Sequence, residues 1–106
     1  MSVLDLLNKP NLKKGLGIYA ATPGAVLLDA RSPEEYRSGH IAGSLNLPLQ
    51  AWNRAEEMIP DKDVPVFVYC HSGARSSRMA GVLKKLGYTH VTNIGGIADY
   101  DGPLEK

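Results

Sequence analysis

The stretch VPVFVYCHSGARSSRMAGVLKKLGY, residues 64–88, carries the strongest structural signals in the chain. It opens with a run of β-branched and aromatic residues directly after a polar turn, which predicts a strand that ends at Cys70. Apolar residues then recur at helical spacing over 76–88, and Gly87 is typical of a helix C-terminus. The apolar positions of that helix are Met79, Val82, Leu83 and Leu86. A strand, a short polar loop and a helix are therefore expected in this order.

The segments on either side repeat this alternation of strand and helix. AVLLDAR, residues 25–31, is a continuous apolar run typical of a strand that is buried on both faces. Ser32 as a cap and Pro33 at the first helical position predict a helix that Gly39 ends. Further strands are predicted over 44–48 and 90–94, a helix over 49–60 with Leu49, Trp52 and Met58 in the core, and a glycine turn with a short helical piece over 95–102. The alternation favours an α/β fold in which helices cover both faces of a parallel sheet.

The N-terminal residues are predicted to be helical in two segments. Ser2, with Asp5 three residues later, resembles a capping box, and Asn11 is suited to cap a second helix. The apolar face of that second helix would consist of Leu12, Leu16 and Tyr19. Gly15 and Gly17 lower its intrinsic stability, because glycine is a poor helix former.

Length and composition are those of an ordinary globular protein. The 106 residues favour one domain over 1–106, with 43% hydrophobic and 22% charged residues. A formal net charge of +1 gives no indication of a nucleic-acid or membrane surface. The N-terminus does not resemble a signal peptide, and no apolar stretch approaches the ~20 residues that span a bilayer. The single cysteine excludes an internal disulfide and fits a reducing compartment, so the cytoplasm is the expected location, while the oligomeric state stays open.

The position of Cys70 gives the first indication of chemistry. Parallel sheets bind ligands beyond the carboxyl ends of their strands, which is where Cys70 lies. A tight turn over residues 71–75 would direct successive backbone N–H groups at one point, and a helix that begins near Ser76 would add its positive end. Gly73 permits an unusual backbone angle, and Arg75 supplies a permanent charge. We therefore expect an anion-binding cradle around a thiol that ionises easily.

The length of this loop bears on what the thiol transfers. Cysteine phosphatases use a C-x5-R loop, whereas only four residues separate Cys70 from Arg75. Ser76 stands where the arginine of a phosphatase would be. The smaller ring favours a single extra sulfur atom on the cysteine, a persulfide, over a phosphoryl group.

Three ordered motifs resemble those of the single-domain rhodaneses, which are thiosulfate sulfurtransferases. VLLDARSPEEYRSGHIAGSLNLP resembles the first signature of the family, VYCHSGARSSRMA its active-site loop and VTNIGGIADY its closing segment. The strongest similarity covers residues 23–102. The resemblance implies a parallel sheet of about five strands with helices on both faces. It also implies a two-step reaction, in which Cys70 takes a sulfur from a small anionic donor such as thiosulfate and passes it to cyanide, a thiol or a protein cysteine, without a metal ion or organic cofactor.

The resemblance also implies roles for individual residues. Cys70 would be the nucleophile, and the loop that binds substrate and persulfide would consist of His71, Ser72, Gly73, Ala74, Arg75 and Ser76. His71 stands where the family often has Arg or Lys. Asp29 and Arg31 are expected to support the site, Asp29 by binding backbone amides and Arg31 by pairing with an acidic residue. His40 is expected to form a hydrogen bond rather than to act as a base.

Two alternatives remain open from the residues alone. The chain could be a non-catalytic binding module or a sulfur-relay module of the same family, although a degenerate member would be expected to lose the cysteine or the loop. Phosphatase or arsenate reductase chemistry is disfavoured by the short spacing from Cys70 to Arg75.

Overall fold

The computed structural model describes residues 10–106. Its strands are β1 (Val26–Asp29), β2 (Leu45–Asn46), β3 (Val66–Cys70) and β4 (Val91–Gly96). Its α-helices are α1 (Leu12–Ala20), α2 (Pro33–Ser38), α3 (Ala55–Met58) and α4 (Ala74–Lys85), and short 3-10 helices cover Leu49–Arg54 and Ile97–Asp99. Among the helices of residues 10–106, none is both long and apolar enough to cross a membrane. The capping box predicted at Ser2 and Asp5 lies outside the described residues.

The strands form one parallel sheet in the order β2-β1-β3-β4. The predicted α/β fold is confirmed, and each predicted strand overlaps one in the structure. The turn predicted at Gly95 and Gly96 is wrong, because β4 continues through both glycines. Residues 10–106 hold four strands rather than the expected five or so. The fifth strand was implied by the family resemblance alone, and in this chain α1 and a turn occupy most of the described residues before β1.

Apolar side chains of the sheet alternate between two cores. On β3, Val66, Val68 and Cys70 contact a core shared with α3 and α4, whereas Phe67 and Tyr69 contact a second core shared with α1. All of β3 is buried, because helices cover both faces of the sheet. A shift by one residue would exchange the two sets of side chains, so this burial fixes the register that places Cys70 at the strand end.

Helix α1 forms despite its two glycines. The Asn11 side chain accepts a hydrogen bond from the Lys14 N–H at 3.1 Å, as expected of a cap. Gly15 packs so closely against β4 that a Cβ would lie 2.4 Å from Ile94 Cγ2. The glycine that weakens the helix therefore allows it to approach the sheet. The predicted face contacts the second core through Leu12, Leu16 and Tyr19.

Helix α2 begins at the predicted cap. Ser32 Oγ accepts a hydrogen bond from the Glu35 N–H at 3.2 Å, and the Glu35 carboxylate accepts one from the Ser32 N–H at 3.1 Å. The two bonds form a capping box and hold the Glu35 carboxylate at the start of the helix. The helix ends before Gly39, also as predicted.

The segment 49–60 differs from the single core helix that was expected. It divides into the 3-10 segment Leu49–Arg54 and the short α3, and Ala51 within the 3-10 segment has a non-helical backbone. Trp52 was predicted to be a core residue, and this is wrong, because its exposed fraction is 43%. Leu49 and Met58 do contact the first core. The irregular turn at Ala51 breaks the regular spacing on which the prediction for Trp52 rests.

Candidate active site

Cys70 is the last residue of β3, at the carboxyl edge of the sheet. The chain passes from β1 to β2 on one side and from β3 to β4 on the other, so the winding direction reverses between β1 and β3. A reversal of this kind leaves a crevice beyond the strand ends, where parallel sheets bind ligands. Cys70 lies at that point with an exposed fraction of 1%. The topology therefore puts the only thiol of the chain where a ligand site is expected.

The Cys70 sulfur accepts hydrogen bonds from its own loop and from the helix that follows. The Gly73 N–H donates at 3.0 Å, and the Ser76 hydroxyl lies 3.3 Å from the sulfur. Burial opposes ionisation of the thiol, but the Ser76 hydroxyl and the backbone N–H groups of Ser76, Gly73 and Ser72 outweigh burial. The pKa of the Cys70 thiol is therefore lowered from its ordinary value. A lower pKa increases the fraction of reactive thiolate at neutral pH.

The loop closes around the sulfur because helix α4 begins early. Its first residue is Ala74, two residues before the predicted start near Ser76. Gly73 caps the helix with a φ of +100°, in the left-handed region that favours glycine. Ser76 therefore lies in the first turn, where backbone N–H groups have no partner inside the helix. Its N–H is free to donate to the sulfur.

Strand β4 supports the loop at Gly96. A Cβ at this position would lie 2.1 Å from the His71 carbonyl oxygen and 2.6 Å from Ser72 Cα. The Ala98 N–H donates a hydrogen bond to the same His71 oxygen at 3.0 Å. The loop thus rests directly on the backbone of β4, and a side chain at position 96 would displace it.

Asn93 on β4 lies behind Ser76, and the sequence predicts it only as a strand residue. The buried Ser76 hydroxyl lies 2.7 Å from Asn93 Oδ1. The same Oδ1 accepts a hydrogen bond from the Gly95 N–H at 3.0 Å. The sequence signal that could have indicated this role is a polar Asn93 within an apolar run that is followed by Gly95 and Gly96.

Arg75 forms a two-pronged ion pair with Glu35 of α2. Its Nη1 and Nη2 lie 2.6 and 3.0 Å from the two carboxylate oxygens. This contact lowers the pKa of Glu35 to about 2, although burial opposes the shift. The pKa of Arg75 is raised, first by its hydrogen bond to Glu35 and also by the negative charges of Glu35 and Cys70. The pair fixes the Arg75 side chain beside the cysteine loop. Glu35 belongs to the first motif, but the sequence does not predict that it pairs with Arg75.

Asp29 and Arg31 form a buried pair at the end of β1. The Arg31 backbone N–H donates to Asp29 Oδ1 at 2.9 Å, and the guanidinium donates to both carboxylate oxygens at 2.7 to 3.0 Å. Arg31 Nη2 also donates to the Gly39 carbonyl oxygen at 2.7 Å. The pairing expected of Arg31 is present, and it fastens the turn after β1 to the end of α2.

Comparison with known proteins identifies the family. The family described as the rhodanese-like domain matches residues 9–102. The chain belongs to this family. Thiosulfate sulfurtransferase PspE of Escherichia coli is 40% identical over 80 residues, which are 74% of this chain and 77% of the relative. A sulfurtransferase of Allochromatium vinosum is 39% identical over 77 residues, which are 73% of this chain and 71% of the relative.

Solved rhodanese structures agree with this assignment. A rhodanese with anions from E. coli has a TM-score of 0.71 and 38% sequence identity, over 77% of this chain and 98% of that one. The recognised family is therefore the one that the three sequence motifs resemble.

The remaining loop residues of this rhodanese-like chain form the rim of the site. His71, Ser72 and Ala74 are exposed. A depression of about 310 Å³ adjoins the loop, and its lining residues include Ser72, Gly73, Ser77, Asn93 and Asp99. His40 Nδ1 lies 2.8 Å from the Tyr36 carbonyl oxygen, so its predicted hydrogen bond is confirmed. Residues 10–106 contain no group of three or more His, Cys, Asp or Glu side chains that could hold a metal ion.

Proposed function

We propose that this chain is a sulfurtransferase that carries sulfur as a persulfide on Cys70. The observation that carries the proposal is the set of donors directed at a buried thiol, namely the Gly73 N–H at 3.0 Å and the Ser76 hydroxyl at 3.3 Å. Donors in this position stabilise a negative charge on sulfur without the need for a general base. The names of the similar proteins, which include thiosulfate sulfurtransferase, support the same chemistry.

The proposed reaction has two balanced steps. The Cys70 thiolate attacks the outer sulfur of thiosulfate, the S–S bond of thiosulfate breaks, and sulfite leaves with the bonding electron pair. Cys70 becomes a persulfide whose negative charge lies on the outer sulfur. A cyanide ion or a thiolate of a small molecule or protein then attacks that outer sulfur, and Cys70 leaves as a thiolate.

The loop would serve both steps. The backbone N–H groups of Ser72, Gly73 and Ser76 act on the sulfur. Converging amides of this kind bind anions, and helix α4 adds its positive end. Because the Glu35 carboxylate offsets much of the Arg75 charge, the backbone N–H groups would bind most of the charge of the donor, with Arg75 beside them in the loop. We assign to Asp29 and Arg31 the support of this edge of the sheet. Because transfer requires a reduced thiol, we place the reaction in a reducing compartment such as the cytoplasm.

The experiment that tests this proposal measures thiocyanate formed from thiosulfate and cyanide by the wild type and by Cys70→Ser. Serine is nearly isosteric with cysteine but accepts sulfur poorly, so we expect the variant to fold and to lose activity to the background rate. Circular dichroism of both proteins checks the fold. Activity that persists in folded Cys70→Ser, or a folded wild type that forms no thiocyanate, would contradict the proposal for this donor.

A second substrate in the same experiment distinguishes sulfur transfer from phosphatase chemistry. Four residues between Cys70 and Arg75 leave a smaller ring than a phosphatase loop. We therefore expect no hydrolysis of an aryl phosphate above the rate of Cys70→Ser. Hydrolysis that depends on Cys70 would assign the cradle to phosphoryl transfer instead.

A further inference from the structure

The Ser76 hydroxyl has one proton and several acceptors within reach. Its Oγ lies 2.7 Å from Asn93 Oδ1, 3.1 Å from the Gly73 carbonyl oxygen, 3.3 Å from Cys70 Sγ and 3.4 Å from the Gly95 carbonyl oxygen. A hydroxyl donates only one hydrogen bond at a time. The shortest of these contacts is with Asn93, and the contact that matters for the chemistry is with Cys70. The two residues therefore compete for the same proton.

The carboxamide of Asn93 has a fixed orientation. Its Oδ1 accepts the Gly95 N–H at 3.0 Å, and its Nδ2 donates to the Gly73 carbonyl oxygen at 3.4 Å. A reversed amide would face the Gly95 N–H with a second donor, so the oxygen must point towards Ser76. A bulge in β4 creates this arrangement, because Val68 pairs with Asn93 but Tyr69 pairs with Gly95.

We propose that Asn93 is a positioning residue that accepts the hydrogen bond of the Ser76 hydroxyl whenever the Cys70 sulfur carries no charge, and gives it up when Cys70 is a thiolate. This inference rests on the proposed function of Cys70. A thiolate is a stronger acceptor than a carboxamide, so the hydroxyl turns to the sulfur in the free enzyme. In the persulfide the charge moves to the outer sulfur, and the hydroxyl returns to Asn93. The hydroxyl thus has a good acceptor in both halves of the cycle.

The proposal predicts opposite effects for two substitutions at this position. Asn93→Ala removes the acceptor used in the thiol state, leaving longer contacts to backbone carbonyls, but leaves the Ser76 bond to the thiolate. The pKa of the Cys70 thiol should then fall by about half to one unit, the equivalent of one net hydrogen bond. In Asn93→Asp the carboxylate accepts the Ser76 hydroxyl hydrogen bond more strongly and adds a negative charge near the sulfur, so the pKa of the Cys70 thiol should rise. A residue that merely supported the loop would change the pKa in one direction in both variants.

The other charges around Cys70 are the same in all these variants. They are His71 in the loop, Arg75 on α4, Glu35 on α2, Asp29 at the end of β1 with Arg31 after it, and Asp99 after β4. Strand β4 itself, VTNIGG, contains no titratable residue. Changes in the pKa between variants therefore report on the substitution itself.

The test is the pH dependence of Cys70 alkylation by iodoacetamide, which needs no sulfur donor. The proteins are the wild type, Asn93→Ala, Asn93→Asp, Ser76→Ala and the double variant Ser76→Ala/Asn93→Ala, with exposed Thr92→Ala on the same strand as the control. We expect the fall in the Cys70 pKa caused by Asn93→Ala to disappear in the Ser76→Ala background, because alanine has no hydroxyl to donate to either acceptor. The control should match the wild type.

Two results would overturn the proposal. One is a Cys70 pKa that rises or does not change in Asn93→Ala. The other is a Cys70 pKa that falls as much in the double variant, relative to Ser76→Ala, as it does in Asn93→Ala relative to the wild type. If circular dichroism shows that Asn93→Ala does not fold, Asn93→Ser takes its place. Its side chain is too short to keep the acceptor near Ser76, so the pKa of Cys70 should again fall, and a rise or no change would overturn the proposal. The readout also separates the two proposals. A protein that transfers no sulfur refutes the proposed function, whereas the pKa series decides the role of Asn93 alone.

Discussion

The ends of β1 and β3 lie side by side, with Asp29 paired to Tyr69 in register, yet they carry opposite arrangements of polar groups. At the end of β1, Asp29 and Arg31 bind each other, and within this turn donor and acceptor are matched. After β3, the donors of the loop converge on the sulfur of Cys70, a weak acceptor. The same strand geometry therefore supports a closed structural turn in one place and a reactive site in the other.

The buried polar groups serve the fold at the end of β1 and the reactivity of the thiol at the end of β3. A matched buried ion pair contributes little net stability, but removal of one partner leaves a charge without compensation. A sulfur surrounded by hydrogen-bond donors is stabilised mainly as an anion. Removal of one of these donors should therefore alter the reactivity of the thiol more than the stability of the fold. The two turns should accordingly respond to substitution in different measurements.

The largest effect on stability is expected from the closed turn. Arg31→Ala leaves the fully buried Asp29 carboxylate without its guanidinium partner and removes a bond to the Gly39 carbonyl oxygen. We expect the free energy of unfolding to fall by about 3 to 5 kcal/mol. Urea unfolding measures this, with exposed Arg37→Ala as the control. A loss below about 1 kcal/mol would remove the contrast between the two turns.

The next effect is expected where β4 supports the cysteine loop. Gly96→Ala places a methyl group against the His71 carbonyl oxygen, so the loop must move away from β4. A displacement of this size should slow sulfur transfer about a hundredfold. Gly81→Ala on α4, where a Cβ would have open space, is the matched control and should keep full activity. Equal activity of the two variants would show that the loop position does not control the reaction.

A smaller effect is expected on ionisation of the thiol. Ser76→Ala removes a hydroxyl donor from the sulfur while the backbone N–H groups remain, so the pKa of Cys70 should rise by about one unit. Alkylation rates across a pH range measure the shift, and exposed Ser77→Ala serves as the control. If Ser76→Ala leaves the pKa unchanged, the backbone amides alone stabilise the thiolate.

The smallest effect is expected for the pair of Glu35 and Arg75, whose side chains are each 35% exposed. Glu35→Gln should lower the free energy of unfolding by about 0.5 to 1 kcal/mol at neutral pH, because water screens the pair. The folded pKa of Glu35 is lowered from 4.5 to about 2, so the stabilisation is present above pH 4.5 and is lost as pH falls towards 2. Urea unfolding at several pH values checks this, with Glu34→Gln as the control. If the difference in unfolding free energy between the wild type and Glu35→Gln grew as the pH fell, this would contradict the account.

The elements and the cysteine loop were predictable because their signals are local. The cap of α2 spans residues 32 to 35, and the donors to the Cys70 sulfur lie within six positions of it. The apolar runs of β1 and β3 also identify themselves as strands that are buried on both faces. Information of this kind needs no knowledge of how distant segments meet.

The contacts that Glu35 and Asn93 make in the site were not predictable, because they join residues far apart in the sequence. Glu35 lies 40 positions from Arg75, and Asn93 lies 17 positions from Ser76. Their contacts depend on the order of the strands and on the bulge in β4, which periodicity does not reveal. The exposure of Trp52 likewise follows from a local irregularity at Ala51 that overrides helical spacing.

The central claim, that Cys70 carries sulfur, is tested most directly by the intact mass of the protein after exposure to thiosulfate. The account predicts that the wild type gains one sulfur atom, that an acceptor thiol removes it, and that Cys70→Ser never gains it. A folded wild type whose mass does not change, or a Cys70→Ser variant that gains the same mass, would contradict the account.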